Sequence, residues 1–179
     1  MSYVNINTAN AAPASQEMLK QIHAAFGATP NMFKAVSNSP VALKSMWGSF
    51  GALGAGTLGA KLGEQIAVAV ANRNRCEYCL AAHTVLGQGA GVSGTDMSAA
   101  QVGKSANPKT QAALTFALNI VEHRASISQA DVEAVRAAGF NDGEIVEIMA
   151  HVALNLFTNY VNVAFNVPVD FPKIALQAA

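Results

Sequence analysis

Apolar residues recur along the chain at the three- and four-residue spacing of amphipathic helices, and turn-forming residues fall between the periodic runs. Met1 to Ala14 is polar and reads as an arm with little structure of its own. Ser15 is placed to cap a helix through about Phe26, with Gly27 as its stop. Thr29-Pro30 and Ser39-Pro40 repeat one signal, a capping residue followed by proline at the first helical position. They predict a short helix from Pro30 to Val36 and a longer one from Pro40 to about Leu53. Six glycines between Gly48 and Gly63 mark either a loop or a close approach of two helices.

The next predicted helix runs from about Ala60 to Arg73. Its interior, Ile66-Ala67-Val68-Ala69-Val70-Ala71, is apolar on every side and therefore expected to be buried. The alternation would also suit a strand, but length and alanine content favour a helix. After a turn at Asn72 to Arg75, a cysteine-bearing helix starts near Cys76 and ends in Gly87-Gln88-Gly89-Ala90-Gly91. Thr95 and Asp96 start a short helix to about Val102, and Asn107-Pro108 opens another through Arg124. Ser128 and Asp131 form a capping-box pattern for Gln129 to Ala138, closed by Gly139. Asn141, with Glu144 three residues on, caps a last long helix that can reach Asn166 before Pro168 and Pro172 end it. The expected fold is all-α: an arm over residues 1–14 and one helical-bundle domain over residues 15–179.

Composition narrows the picture. The chain has 179 residues, 51% hydrophobic and only 12% charged, with a formal net charge of zero. That length supports one substantial core, and the low charge suggests that some apolar surface is buried between subunits. Without clustered Lys and Arg, nucleic acid is an unsuitable partner. The charge-free stretch from Ser45 to Ala60 is glycine-rich and shorter than the ~20 apolar residues of a membrane span. Met1 to Ala14 shows no signal-peptide pattern, and a cytoplasmic location is expected.

Chemistry concentrates in Cys76-Glu77-Tyr78-Cys79-Leu80-Ala81-Ala82-His83, which holds both cysteines of the chain. On a helix, at ~100° per residue, Cys76, Cys79 and His83 fall on one face. A first-turn position lowers a thiol's pKa, because free backbone N–H groups and the helix dipole favour the thiolate. His83, one turn after Cys79, can take the thiol proton. Glu64 heads the apolar face of the preceding helix, where a carboxylate needs a partner. An antiparallel neighbour would supply His83 and complete a relay Glu64–His83–Cys79.

Glu64 followed by Cys76-x-Tyr78-Cys79-x-x-x-His83 resembles the signature of the alkylhydroperoxidase D-like proteins, within the carboxymuconolactone decarboxylase superfamily. The likeness runs from Pro30-Asn31-Met32-Phe33 to Asp170-Phe171-Pro172 and is strongest to the peroxidase-related branch. It implies an all-helical fold, homotrimers or homohexamers, and thiol-dependent reduction of hydroperoxides. Cys79 would be the peroxidatic cysteine, Cys76 the resolving one, and His83 with Glu64 the proton relay. An external dithiol or disulfide reductase would return the electrons, and no bound cofactor or metal is required. The position between the cysteines is histidine in the best-studied type of the family. Here it is Tyr78, placed to hydrogen-bond the substrate or orient the peroxide.

Plainer readings stand beside this one. Cys76, Cys79 and His83 would serve as three ligands of a zinc site, although no fourth is visible. The thiols would equally suit an inert core, and Glu64 a surface pair with Lys61. A lactone decarboxylase would not call for the cysteine pair. A non-enzymatic redox sensor would, with the Cys76–Cys79 disulfide switching a partner contact. Glu144, Glu147, His151 and Asn155 form a polar stripe on the last helix that reads as solvated or as a subunit contact. Trp47, Met46 and Phe50 read as packing.

Overall fold

A helix without a polar face has to be enclosed, and the sequence offers one such segment, Ile66 to Ala71. The computed structural model describes residues 1–178. Among them are nine α-helices and no strand. They are α1 (Pro13–Phe26), α2 (Asn31–Val36), α3 (Pro40–Gly54), α4 (Gly59–Arg73), α5 (Glu77–Gly89), α6 (Gly94–Gln101), α7 (Pro108–Glu122), α8 (Gln129–Ala137) and α9 (Asp142–Ala164). The enclosed segment is the middle of α4, where Ile66 to Ala71 are all 2% exposed or less. Helices α5, α6, α7 and α9 pack directly around α4. The remaining helices extend this bundle: α3 lies against α1, α2 and α9, and α8 against α7 and α9.

Boundaries follow local chemistry. Pro40 and Pro108 sit at the first helical turn, behind Ser39 and Asn107, whose side chains accept backbone N–H bonds. The two capping boxes form as the spacing predicts, Ser128 with Asp131 and Asn141 with Glu144. Three expected starts move. Helix α1 begins at Pro13, so Ser15 is inside it, fully buried, with its hydroxyl donating to Ser37 O at 2.8 Å. Pro30 is itself the cap residue of α2, in extended conformation. Ser93, not Thr95, caps α6, by accepting from Asp96 N.

The arm has a single 3-10 turn, Thr8–Asn10, and is tied to the body by Tyr3 N donating to Phe165 O at 2.8 Å and Asn38 Nδ2 to Asn5 O at 2.7 Å. The glycine-rich stretch is mostly helical, with α3 running through Gly48 and Gly51 and only Ala55 to Leu58 left as a turn. The close approach is at Gly63, where a Cβ would lie 2.9 Å from Cε1 of His151. Phe33 of α2 packs edge-on to both Trp47 and Phe50 of α3, with Phe33 to Trp47 centroids 5.8 Å apart, and Met46 is fully buried.

Two substitutions probe this hierarchy. Ile66→Ala should cost about 2–5 kcal/mol, because the enclosed site has little freedom to collapse. Asn141→Ala, which removes only a cap, should cost about 1 kcal/mol. Urea unfolding of both variants checks the ordering.

Candidate active site

Helices α4 and α5 are joined by the turn Asn74-Arg75, with Arg75 in the left-handed region at φ 57°. Cys76 then leaves the turn with its N–H on Ala71 O at 2.9 Å and becomes the N-cap of α5. The expected first-turn placement therefore holds for Cys79 alone. Cys76 lies one residue outside, and its sulfur accepts the backbone N–H of Cys79 at 3.2 Å. Its thiol in turn donates to Cys79 Sγ at 2.6 Å. Both cysteines are free and buried.

The antiparallel pairing of α4 and α5 brings Glu64 to His83. Nδ1 of the imidazole and Oε2 of the carboxylate are 2.7 Å apart, with both side chains largely covered. The pair replaces the alternative contact of Glu64 with Lys61. Burial alone would lower the pKa of His83, but the Glu64 charge and hydrogen bond overcome it and raise the pKa above its usual value. The imidazole acts on Cys79 through its charge and makes no hydrogen bond to the sulfur here.

The two thiols are driven apart in acidity. Burial raises the pKa of Cys79, yet the hydrogen bond from Cys76, the His83 charge and the side-chain amides of Asn162 and Asn159 together lower it to about 7. The hydrogen bond that Cys76 gives to Cys79, reinforced by burial, pushes the Cys76 thiol well up. One sulfur is thus prepared as a thiolate and the other as a thiol.

Sequence reasoning missed the amides. Asn162 Nδ2 donates to Cys79 Sγ at 3.1 Å. Asn155, Asn159 and Asn162 recur at helical spacing and are all buried. They continue the polar stripe of α9, which faces inward and is neither solvated nor left for another subunit along this stretch. Glu147 accepts from Thr57 N at 3.0 Å, Thr57 Oγ1 at 2.7 Å and Leu58 N at 3.0 Å, closing the turn before α4. His151 packs on Gly63 and, with Glu64, His83 and Phe50, lines a cavity of about 120 Å³. Burial lowers the pKa of His151, against the pull of Glu147 and Glu64. The missed signal was the continuation of the stripe beyond Asn155, at Asn159 and Asn162, on an otherwise apolar helix.

A second cavity, of about 370 Å³, is lined by Cys76, Tyr78 and Asn162 together with Arg75, Glu77, Val163 and the chain from Asn166 to Val169. Tyr78 is part of its wall, but its hydroxyl already accepts from Met32 N at 3.2 Å and its ring stands edge-on to Phe171. Burial pushes the phenol's pKa up, so it stays neutral. Among the described residues no group of three or more His, Cys, Asp or Glu side chains is arranged to hold a metal ion, and Cys76, Cys79 and His83 do not form one. No described helix is long and apolar enough to cross a membrane.

Residues 42–104 match the carboxymuconolactone decarboxylase family. That segment contains Glu64, Cys76, Cys79 and His83, so the resemblance seen in the sequence holds where the site lies. No curated protein matches the chain. Solved structures share its fold. An uncharacterized peroxidase-related protein from Silicibacter sp. TM1040 is 24% identical, with TM-score 0.82 over 97% of this chain and 92% of that one. An uncharacterized peroxidase-related protein from Ralstonia eutropha JMP134, described as an alkylhydroperoxidase AhpD core, is 23% identical, with TM-score 0.86 over 94% and 92%. The debrominase Bmp8, bound to 2,3,4-tribromopyrrole, is 19% identical, with TM-score 0.78 over 94% and 90%.

The His83–Glu64 contact has a pH signature. Folding raises the pKa of His83, so its stabilising contribution is complete below the unfolded value of about 6.5 and is lost as pH rises through the higher folded value. Glu64→Gln should therefore be destabilising near pH 6, with the gap to the parent narrowing at alkaline pH. By NMR, the His83 pKa should drop in the variant, because burial is then opposed only by the Cys79 charge.

Proposed function

We propose that the chain is a thiol peroxidase that reduces hydroperoxides through Cys79, with Cys76 as the resolving cysteine. The observation that carries this reading is the geometry at two touching sulfurs: Cys79 Sγ accepts from Cys76 Sγ at 2.6 Å and from Asn162 Nδ2 at 3.1 Å, with the Glu64–His83 pair behind it, so that Cys79 is favoured as the thiolate and Cys76 as the thiol. The shared fold does not carry it, since a debrominase has that fold too.

The chemistry runs in three steps. Cys79 thiolate attacks the terminal oxygen of a hydroperoxide, the O–O bond breaks, and the leaving alkoxide takes a proton from the His83 imidazolium. Glu64 holds that imidazolium charged. The Cys79 sulfenic acid then condenses with the Cys76 thiol, releasing water and forming a disulfide. Cys76 attacks as its thiolate: once Cys79 is a neutral sulfenic acid, the charged sulfur that held the Cys76 proton is gone, and that proton leaves with the sulfenic hydroxyl as water. An external dithiol reduces the disulfide by exchange and restores both thiols.

A homotrimer or homohexamer is part of the same proposal. It is supported by the apolar side chains that α9 and its end expose, Phe157, Tyr160, Val163 and Phe165. Light scattering at micromolar concentration should give a mass above that of one chain, and a strict monomer would remove this part.

The catalytic assignment is tested on reduced protein with stoichiometric organic hydroperoxide. Both thiols should disappear, with a Cys76–Cys79 bridge found by mass spectrometry, and the rate should rise with pH and level off above about 7. Cys79→Ser should abolish the reaction. Cys76→Ser should allow one oxidation per chain and no disulfide. Oxidation that is slow and never turns over with a good dithiol present would favour the redox-sensor reading.

A further inference from the structure

Helix α9 buries amide groups whose hydrogen bonding is only half used. Asn155 Oδ1, Asn159 Nδ2 and Asn162 Oδ1 have no protein partner, although their residues are 4%, 0% and 3% exposed. An unsatisfied buried polar atom costs about 1–3 kcal/mol, so such atoms need an explanation. Asn162 Nδ2 donates to Cys79 Sγ. The Asn159 side chain also stabilises that sulfur's charge, while its Oδ1 accepts from Asn74 Nδ2 at 3.0 Å. Asn162 further lines the larger cavity beside Cys76. Its free Oδ1 is therefore an acceptor next to the reactive sulfur, with no donor on the protein.

A hydroperoxide brings one donor, the O–H of its terminal oxygen, and that oxygen is the one a thiolate attacks. We propose that Asn162 is a catalytic residue whose Nδ2 holds the Cys79 thiolate and whose Oδ1 accepts the O–H of the incoming hydroperoxide. This rests on the reading of Cys79 as the peroxidatic cysteine. The new S–O bond forms as the O–O bond breaks, and the departing electron pair leaves on the alkoxide, which His83 protonates. The hydrogen of the attacked oxygen stays on the sulfenic acid, still held by Oδ1. An alkyl group has no place in this contact, so the side chain reads the O–H end of the substrate.

The titratable groups facing Cys79 are Cys76, Tyr78 and His83 on α5, with Glu64 on α4 behind the imidazole. Along the α9 stretch beside the sulfur the polar groups are amides, so a change there moves the thiol without adding a charge. Asn162→Leu keeps the branching of the side chain, though it is bulkier, and removes both the donor and the unsatisfied acceptor, and thermal unfolding should show the fold retained. Asn162→Ala serves if leucine perturbs the far-UV spectrum.

Two readings separate the roles. Thiolate absorbance near 240 nm, in the full chain carrying Cys76→Ser, should give a Cys79 midpoint about one unit higher in the Asn162 variant, or about fivefold less thiolate at pH 7. An unchanged midpoint would overturn the donor role whether or not the protein reduces peroxides. At about pH 9.5 Cys79 should be largely ionised with or without the Asn162 substitution, and reaction with tert-butyl hydroperoxide should remain at least about tenfold slower in the variant, within the range for loss of one oriented hydrogen bond. A rate restored to the parent's at that pH would overturn the acceptor role. If the parent itself failed to react while the midpoint still shifted, the peroxidase reading would fall and the acceptor role with it.

Discussion

The arrangement depends on the burial of α4. A helix apolar on all sides must be wrapped, and the wrapping helices inherit their positions from it. Helix α5 is joined to α4 by so short a turn that it can only fold back antiparallel. The single carboxylate on the buried course of α4, Glu64, then meets the imidazole of His83 at 2.7 Å. An uncompensated carboxylate at that depth would be expensive, so the ion pair is both a packing solution and the source of the His83 charge. That charge is one of the influences that bring Cys79 to about 7 against its burial.

Acidity at the sulfur is a balance of opposing effects. Desolvation alone would leave both cysteines as inert thiols. Cys79 escapes because three kinds of partner favour its ionised form: a neighbouring thiol, an imidazolium and side-chain amides. Cys76 does not escape because it is the one that donates. The two also differ in helix position by three residues. Cys76 is the cap, outside the first turn, and Cys79 is inside it.

Much of this was legible in the sequence where the signal is local. Proline at the first helical position and the paired capping-box residues Ser128/Asp131 and Asn141/Glu144 fix boundaries through neighbours only a few residues away. The apolar run of α4 announces burial by itself, and Glu64, Cys76, Cys79 and His83 stand at spacings that one helical hairpin brings together. What failed was long-range. Ser15 looked like a cap, but its hydroxyl bonds to Ser37, which no local pattern reveals. Asn155, the last residue of the stripe read on α9, looked like part of a wet face because polarity alone does not say whether a residue meets water or a buried partner. Asn162 finds its sulfur 83 positions away, and only the closed bundle shows it.

Helix α9 has two faces that belong to one rod. At 1.5 Å of rise per residue, its 23 residues extend about 35 Å. The inner face touches the turn before α4 through Glu147, the relay cavity through His151 and the sulfur through Asn162. The outer face presents Phe157, Tyr160 and Val163 to the surroundings. A stiff body transmits displacement along its length, so whatever seats on the outside and moves the rod also moves the amide that grips the thiolate. Coupling of that kind is reciprocal. A neighbour that tightened the grip would make the protein's reactivity depend on its own concentration, and oxidation of the sulfur would in turn change how firmly the neighbour is held.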